Sequence, residues 1–169
     1  MRHGVAVPKD LVQYADEQRP LTPKGRRKVR IVAEAMSLLK LRFDAIITSP
    51  LVRARQTAQL VAEEFEYEKR IVECEHLATG DHQKLIEWLK EEMSSKNKLL
   101  LVGHEPYLGQ LTGLLTAGNP SAGVAFKKAG LAFLEIPELR TGQCAVLRWL
   151  LTPKIMRKIV EGEEEEDED

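Results

Sequence analysis

Two stretches of this 169-residue chain constrain its fold more than any others: "FDAIITSP" at 43–50 and "KLLLVGHEP" at 98–106. Each carries a short run of aliphatic and β-branched residues, which is how a buried strand reads. Each run stops at a polar residue and a proline, and helical spacing of apolar residues follows at once. Ala58, Val61 and Phe65 recur after the first run, and Leu108, Leu111 and Leu115 after the second. A strand that passes directly into a helix of a dozen residues must return alongside itself, so the pattern predicts βαβ units and a mainly parallel sheet.

The other elements fit that frame. "LTPKGRRKVRIVAEAMSLLK" predicts a helix capped by Thr22, with Pro23 in its first position and Val29, Val32, Met36 and Leu39 inward. Ser49-Pro50 is expected to open the second helix by the same cap-then-proline device, and Pro106 to open a later one. A weak strand at Ile71-Val72 leads to a loop at "TGD". The helix "HQKLIEWLKEEM" follows, turning Leu85, Leu89 and Met93 inward. The strands "GLAFLEI" and "CAVLRWLL" are separated only by "PELRTGQ" and predict an antiparallel hairpin.

The length suits one compact domain, expected over residues 1–160. Hydrophobic residues make up 43% and charged residues 30%, with a formal net charge of −1, so nothing calls for a nucleic-acid partner. That balance hides an asymmetry, because the tail "EGEEEEDED" at 161–169 is almost wholly acidic and the body before it is basic. The tail is expected to be disordered. Cys74 and Cys144 lack a metal-type spacing and are expected to stay thiols in a reducing compartment. No stretch approaches a membrane span and no apolar signal region opens the chain, so a cytoplasmic monomer with no membrane contact is expected.

In a parallel sheet of this kind, ligands bind beyond the carboxyl ends of the strands, where helices begin. Three segments have the form to meet there: "RHG" at 2–4, "TSPLVRARQTA" at 48–58 and "LVGHEP" at 101–106. Arg2, Arg53 or Arg55, His3 and His104 would face a doubly charged phosphoryl group, which helix N-termini also favour. Singly, each residue has a blander reading. A lone histidine after a strand is usually a loop residue, and an arginine on a helix is usually solvated. The weight lies in three segments on matching junctions. His76 and His82 form no zinc pattern with Glu75 or Asp81 and are read as structural. For His3 to attack phosphorus, one ring nitrogen must be unprotonated while the other donates to a fixed acceptor, and the Gly4 carbonyl is well placed for that.

With "RPLTPKG" at 19–25, these segments resemble the histidine phosphatase superfamily, which has the phosphoglycerate mutase-like fold. The short interval before His104 is similar to the compact branch of SixA-type phosphohistidine phosphatases. The resemblance implies a three-layer αβα sandwich with no metal and no cofactor. It makes His3 the nucleophile that is transiently phosphorylated, with Arg2, Arg53 and a protonated His104 around the phosphoryl oxygens. Arg53, four residues after Ser49, matches the family's arginine, whereas Arg55 falls at a variable position. Gly4 and Arg19 would line the groove, and Glu75 is the candidate general acid. The implied substrate is phosphohistidine on a histidine-containing protein partner. A small phosphorylated metabolite, or a non-catalytic phosphate-binding scaffold, are the other readings.

Relatives of this kind reach "RHG" through an apolar strand at the centre of the sheet, and here only Met1 precedes it. Loss of an interior strand leaves two unpaired edges and an apolar slot. At roughly 1.5–3 kcal/mol per buried aliphatic side chain, four or five such residues would rival the stability of a domain. Two expectations follow: a start downstream of the natural one, favoured by the intact sequence after Gly4, or a chain whose centre is damaged.

Overall fold

The computed structural model describes residues 1–10, 13–67 and 70–162. Its helices are α1 (Pro23–Leu38), α2 (Val52–Phe65), α3 (His76–Thr79), α4 (His82–Glu92), α5 (Tyr107–Ala117) and α6 (Pro153–Glu161). Its strands are β1 (Ala45–Thr48), β2 (Ile71–Glu73), β3 (Leu99–Val102), β4 (Leu131–Glu135) and β5 (Val146–Leu151). The strands β2, β1 and β3 pair in that order, all parallel, while β4 and β5 form the expected antiparallel hairpin.

Period-two alternation in β1 and β3 creates the layers. Ile46, Leu100 and Val102 enter one apolar cluster with Val29, Val32 and Met36 of α1, Ala58 and Val61 of α2 and Met156 of α6. Ala45 and Ile47 enter another with Leu85 and Leu89 of α4 and Leu111 and Leu115 of α5. Helices therefore cover both faces of a parallel sheet, as an αβα sandwich requires.

Helix α1 starts as its sequence predicts, with the Thr22 hydroxyl accepting the Gly25 N–H at 2.9 Å and Pro23 next. Leu39 lies beyond its end and is 39% exposed instead of inward. Ser49 does not cap α2, which begins only at Val52. Ser49 is fully buried at the end of β1, and its hydroxyl is engaged by a histidine from another strand. The expected loop after β2 contains the short α3, and the "TGD" turn follows it, with left-handed Gly80 and Asp81 capping α4.

Helix α6 has no counterpart in the sequence reading. Thr152-Pro153 repeats the device that opens α1, with the Thr152 hydroxyl accepting the Ile155 N–H at 3.4 Å. The acidic run beside it masks this signal. Helix α6 extends to Glu161 with Gly162 at its end, and residues 163–169 of the expected tail lie outside the described residues.

Residues 1–3 run between β3 and β4. Arg2 forms a parallel bridge with Gly103. The Met1 amino group donates to Leu101 O at 2.8 Å, Gly103 N donates to Met1 O at 3.1 Å, and His3 N donates to Gly103 O at 3.0 Å. On the other side, Arg2 N donates to Gly130 O and Ala129 N to His3 O, both at 3.0 Å. These few residues thus gain sheet-like bonds on both sides. Beyond Met1, an apolar cavity of about 460 Å³ separates the sheet edges, lined among others by Leu99, Leu101, Leu131, Phe133 and Trp149. The backbone at Arg2 and His3 is held beside it by these bonds.

Candidate active site

The carboxyl ends of the first segment, β1 and β3 deliver His3, Ser49 and His104 to one place. The His3 and His104 rings lie 5.0 Å apart between centroids, tilted by 52°. His3 Nδ1 meets the Gly4 carbonyl at 2.7 Å, so Nδ1 carries the proton and Nε2 keeps its lone pair. Gly4 is confined by its neighbours: a Cβ there would stand 2.6 Å from Val29 and 3.2 Å from Leu21. Burial, reinforced by His104, Arg53 and Arg2, pushes the His3 pKa down to about 3, against the pull of the Gly4 bond. The imidazole is therefore neutral and able to act as a nucleophile at neutral pH.

His104 Nε2 is 2.7 Å from the Ser49 hydroxyl. Burial, followed by the charge of Arg53, lowers its pKa to about 4, although nearby Asp16 opposes the shift. The resemblance implies a protonated His104 around bound phosphoryl oxygens, whereas desolvation and the charges of Arg53, Arg2 and Arg19 favour the neutral ring when no anion is beside it. A bound dianion would draw that pKa upward again.

Arg2 and Arg53 are each anchored through the ends of their guanidinium groups. Arg2 Nη1 donates to Phe126 O at 2.8 Å. Arg53 Nη1 donates to Asp16 O at 2.7 Å and Nη2 to Asp16 Oδ2 at 3.2 Å. Three buried side-chain nitrogens are without a hydrogen-bond partner among the described residues: Arg2 Nε, Arg53 Nε and His104 Nδ1. All belong to the four residues singled out from sequence. Buried polar groups are almost always satisfied; the Arg2 and Arg53 Nε–H groups are orphaned donors that suit an anionic ligand, and His104 Nδ1 joins them as a donor in the tautomer whose Nε2 accepts from the Ser49 hydroxyl.

A sequence profile of the histidine phosphatase superfamily (branch 1) matches residues 1–82. An uncharacterized protein of Picosynechococcus sp. is 38% identical over 137 residues, covering 79% of this chain and 81% of that one. The chain belongs to the histidine phosphatase superfamily.

Mitochondrial serine/threonine-protein phosphatase Pgam5 of Drosophila ananassae is 32% identical over 81 residues, 47% of this chain but only 27% of that protein. The fold matches the protein histidine phosphatase SixA complexed with tungstate at a TM-score of 0.78 and 23% identity, covering 92% of this chain and 96% of that one. It matches the α-ribazole phosphatase of Shigella flexneri at a TM-score of 0.69 and 16% identity, covering 90% and 95%.

The rest of "SPLVRARQT" serves as scaffolding. Gln56 Oε1 accepts the Leu21 N–H at 2.8 Å. Thr57 Oγ1 accepts the Gly4 N–H at 3.0 Å and donates to Arg53 O at 2.7 Å, tying the turn after His3 to the start of α2. Ser49, Gln56, Thr57 and Asp16 were not singled out as site residues. Ser49, Gln56 and Thr57 are polar residues at short offsets from Arg53, whereas Asp16 lies 37 residues before it and carries no signal in the motif.

Arg19 does not present a free guanidinium to the groove. It donates to Asp16 Oδ1 through Nε (3.0 Å) and Nη2 (2.8 Å), and to Val7 O through Nη1 (2.7 Å). Its work is to brace the turn carrying Asp16. Arg55 pairs with Glu73 at 3.5 Å on the surface, away from the buried cluster. Glu75 is exposed just before α3 and, among the described residues, makes no side-chain hydrogen bond into the site. Asp16 makes a poor acid. Burial pushes its pKa up, but the Arg19 bond and the Arg53 charge prevail and hold it below the usual carboxylate range. Among the described residues, no helix is long and apolar enough to cross a membrane.

Proposed function

We propose that this chain is a metal-independent phosphatase that forms a phosphohistidine intermediate on His3 and acts on phosphohistidine carried by a protein. The observation that carries the reading is the set of three orphaned nitrogens on Arg2, Arg53 and His104 around a neutral histidine. Phosphoryl transfer develops charge on three equatorial oxygens, so positioned donors supply most of the catalysis. His3 Nε2 attacks phosphorus in line while the bond to the leaving group breaks. Water then attacks the phosphorus, the His3 N–P bond breaks, and phosphate departs.

The leaving group supports a P–N substrate. Neither Glu75 nor Asp16 is set up as a proton donor, and an alkoxide would need one. Imidazole, with a conjugate-acid pKa of ~6.5, can leave already protonated by solvent. The fold shared with SixA supports the same reading, and the fold shared with α-ribazole phosphatase supports the small-metabolite alternative.

Brief exposure to labelled aryl phosphate, acid quench and peptide mapping should find acid-labile label on His3, unchanged by chelator. No label would favour the phosphate-binding scaffold. A phosphorylated histidine-containing transfer domain should then be consumed faster than a panel of sugar phosphates. Preference for the sugars would move the assignment to a metabolite.

A further inference from the structure

Arg2 owes its aim to a segment with no regular secondary structure. Its Nη1 donates to the carbonyl of Phe126, in the stretch between α5 and β4. The same peptide residue is held from its other end. Glu105 Oε1 accepts the Phe126 N–H at 2.8 Å, and Glu105 directly follows His104. Helix α5 presses closely on this stretch: a Cβ on Gly109 would lie 2.1 Å from Val124 O and 3.0 Å from Glu105 Oε2. The turn that delivers His104 therefore also locates the carbonyl on which Arg2 rests. Phe126 is itself 5% exposed, so the tether is not a surface contact.

We propose that Glu105 is a positioning residue for phosphoryl transfer, acting through the Phe126 peptide to hold the Arg2 guanidinium and its free Nε–H against the phosphoryl group. The role rests on the phosphatase reading of the site. It requires an acceptor oxygen at the reach of Glu105 and does not require its charge. A displacement of the order of 1 Å at a charged contact can lower turnover by up to ~10²-fold.

That requirement separates two conservative variants. Glu105→Gln keeps the reach and an amide oxygen that can accept the Phe126 N–H, while Glu105→Asp keeps the charge and withdraws the acceptor by one methylene. With an aryl phosphate, Glu105→Gln should stay within about threefold of wild type, and Glu105→Asp should lose ~10–10²-fold in kcat/KM. In an Arg2→Ala background, Glu105→Asp should cause no further loss, because the group it positions is gone. The affinity for orthovanadate, read by calorimetry, should follow the same pattern without any turnover. Thermal midpoints identify variants that fail to fold, and Glu105→Gln then carries the test alone. Loss in Glu105→Gln with activity retained in Glu105→Asp would overturn the proposal, as would equal losses in both Arg2 backgrounds. Wild-type protein that binds vanadate but turns over no phosphate ester would defeat the phosphatase reading, while the vanadate cycle would still judge Glu105.

Discussion

The protonation state of His3 comes from its surroundings more than from its own chemistry. A free imidazole is half-protonated near pH ~6.5, but His3 is buried beside two arginines and a second histidine, which hold its pKa at about 3. This has a thermodynamic consequence. Between about 3 and the unfolded value of 6.5 the unfolded chain binds the His3 proton and the folded chain does not. Stability is thus retained above pH ~6.5 and lost as pH falls through that window. Replacing His3 with Gln removes this contribution. The thermal midpoint of His3→Gln should fall less steeply than that of wild type between pH 6.5 and 4, and parallel slopes would contradict the assigned burial of a neutral ring.

At the scale of elements, the site depends on close approaches that only small residues permit. The start of α1 packs against the segment that leaves the "RHG" turn, and a Cβ on Gly25 would stand 2.1 Å from Val5 O. Val5 O also accepts the Thr22 N–H at 2.9 Å, so the cap of α1 and the segment behind His3 share one contact. Gly25→Ala should therefore separate them, destabilising the fold by ~1–3 kcal/mol as overpacking does. Chemical denaturation reads the stability, and aryl phosphatase activity should fall alongside it. An unchanged midpoint would mean that α1 is free to shift. The glycine in "RPLTPKG" was legible as part of a motif, but the atom it makes room for was not.

For the whole molecule, the sheet is in two pieces joined by residues 1–3, with the apolar cavity of about 460 Å³ beyond them. A largely apolar gap of this kind, open on one side, leaves its lining short of dispersion contacts and suits apolar molecules. Native protein should bind anilinonaphthalene sulfonate with enhanced dye fluorescence, and occupancy should alter emission from Trp149 on the wall. A Trp149→Phe variant separates that signal from Trp88. Absence of dye binding to the folded protein would show the gap to be closed in solution. Five backbone hydrogen bonds hold residues 1–3 on both sides.

Local rules were enough for the order of strands and helices, the Thr22 cap and the hairpin, while the choice of Arg53 over Arg55 beside Arg2, His3 and His104 came from the family resemblance. Burial period, capping chemistry and motif spacing act over a few residues, so a one-dimensional reading reaches them. The neutral state of His104, the diversion of Arg19 to Asp16, the seat of Ser49 beneath His104 and the tether from Glu105 to Arg2 were decided only by the tertiary structure. Each depends on desolvation or on a hydrogen bond between groups set by the folded geometry, and neither quantity exists until the sheet and its loops have assembled.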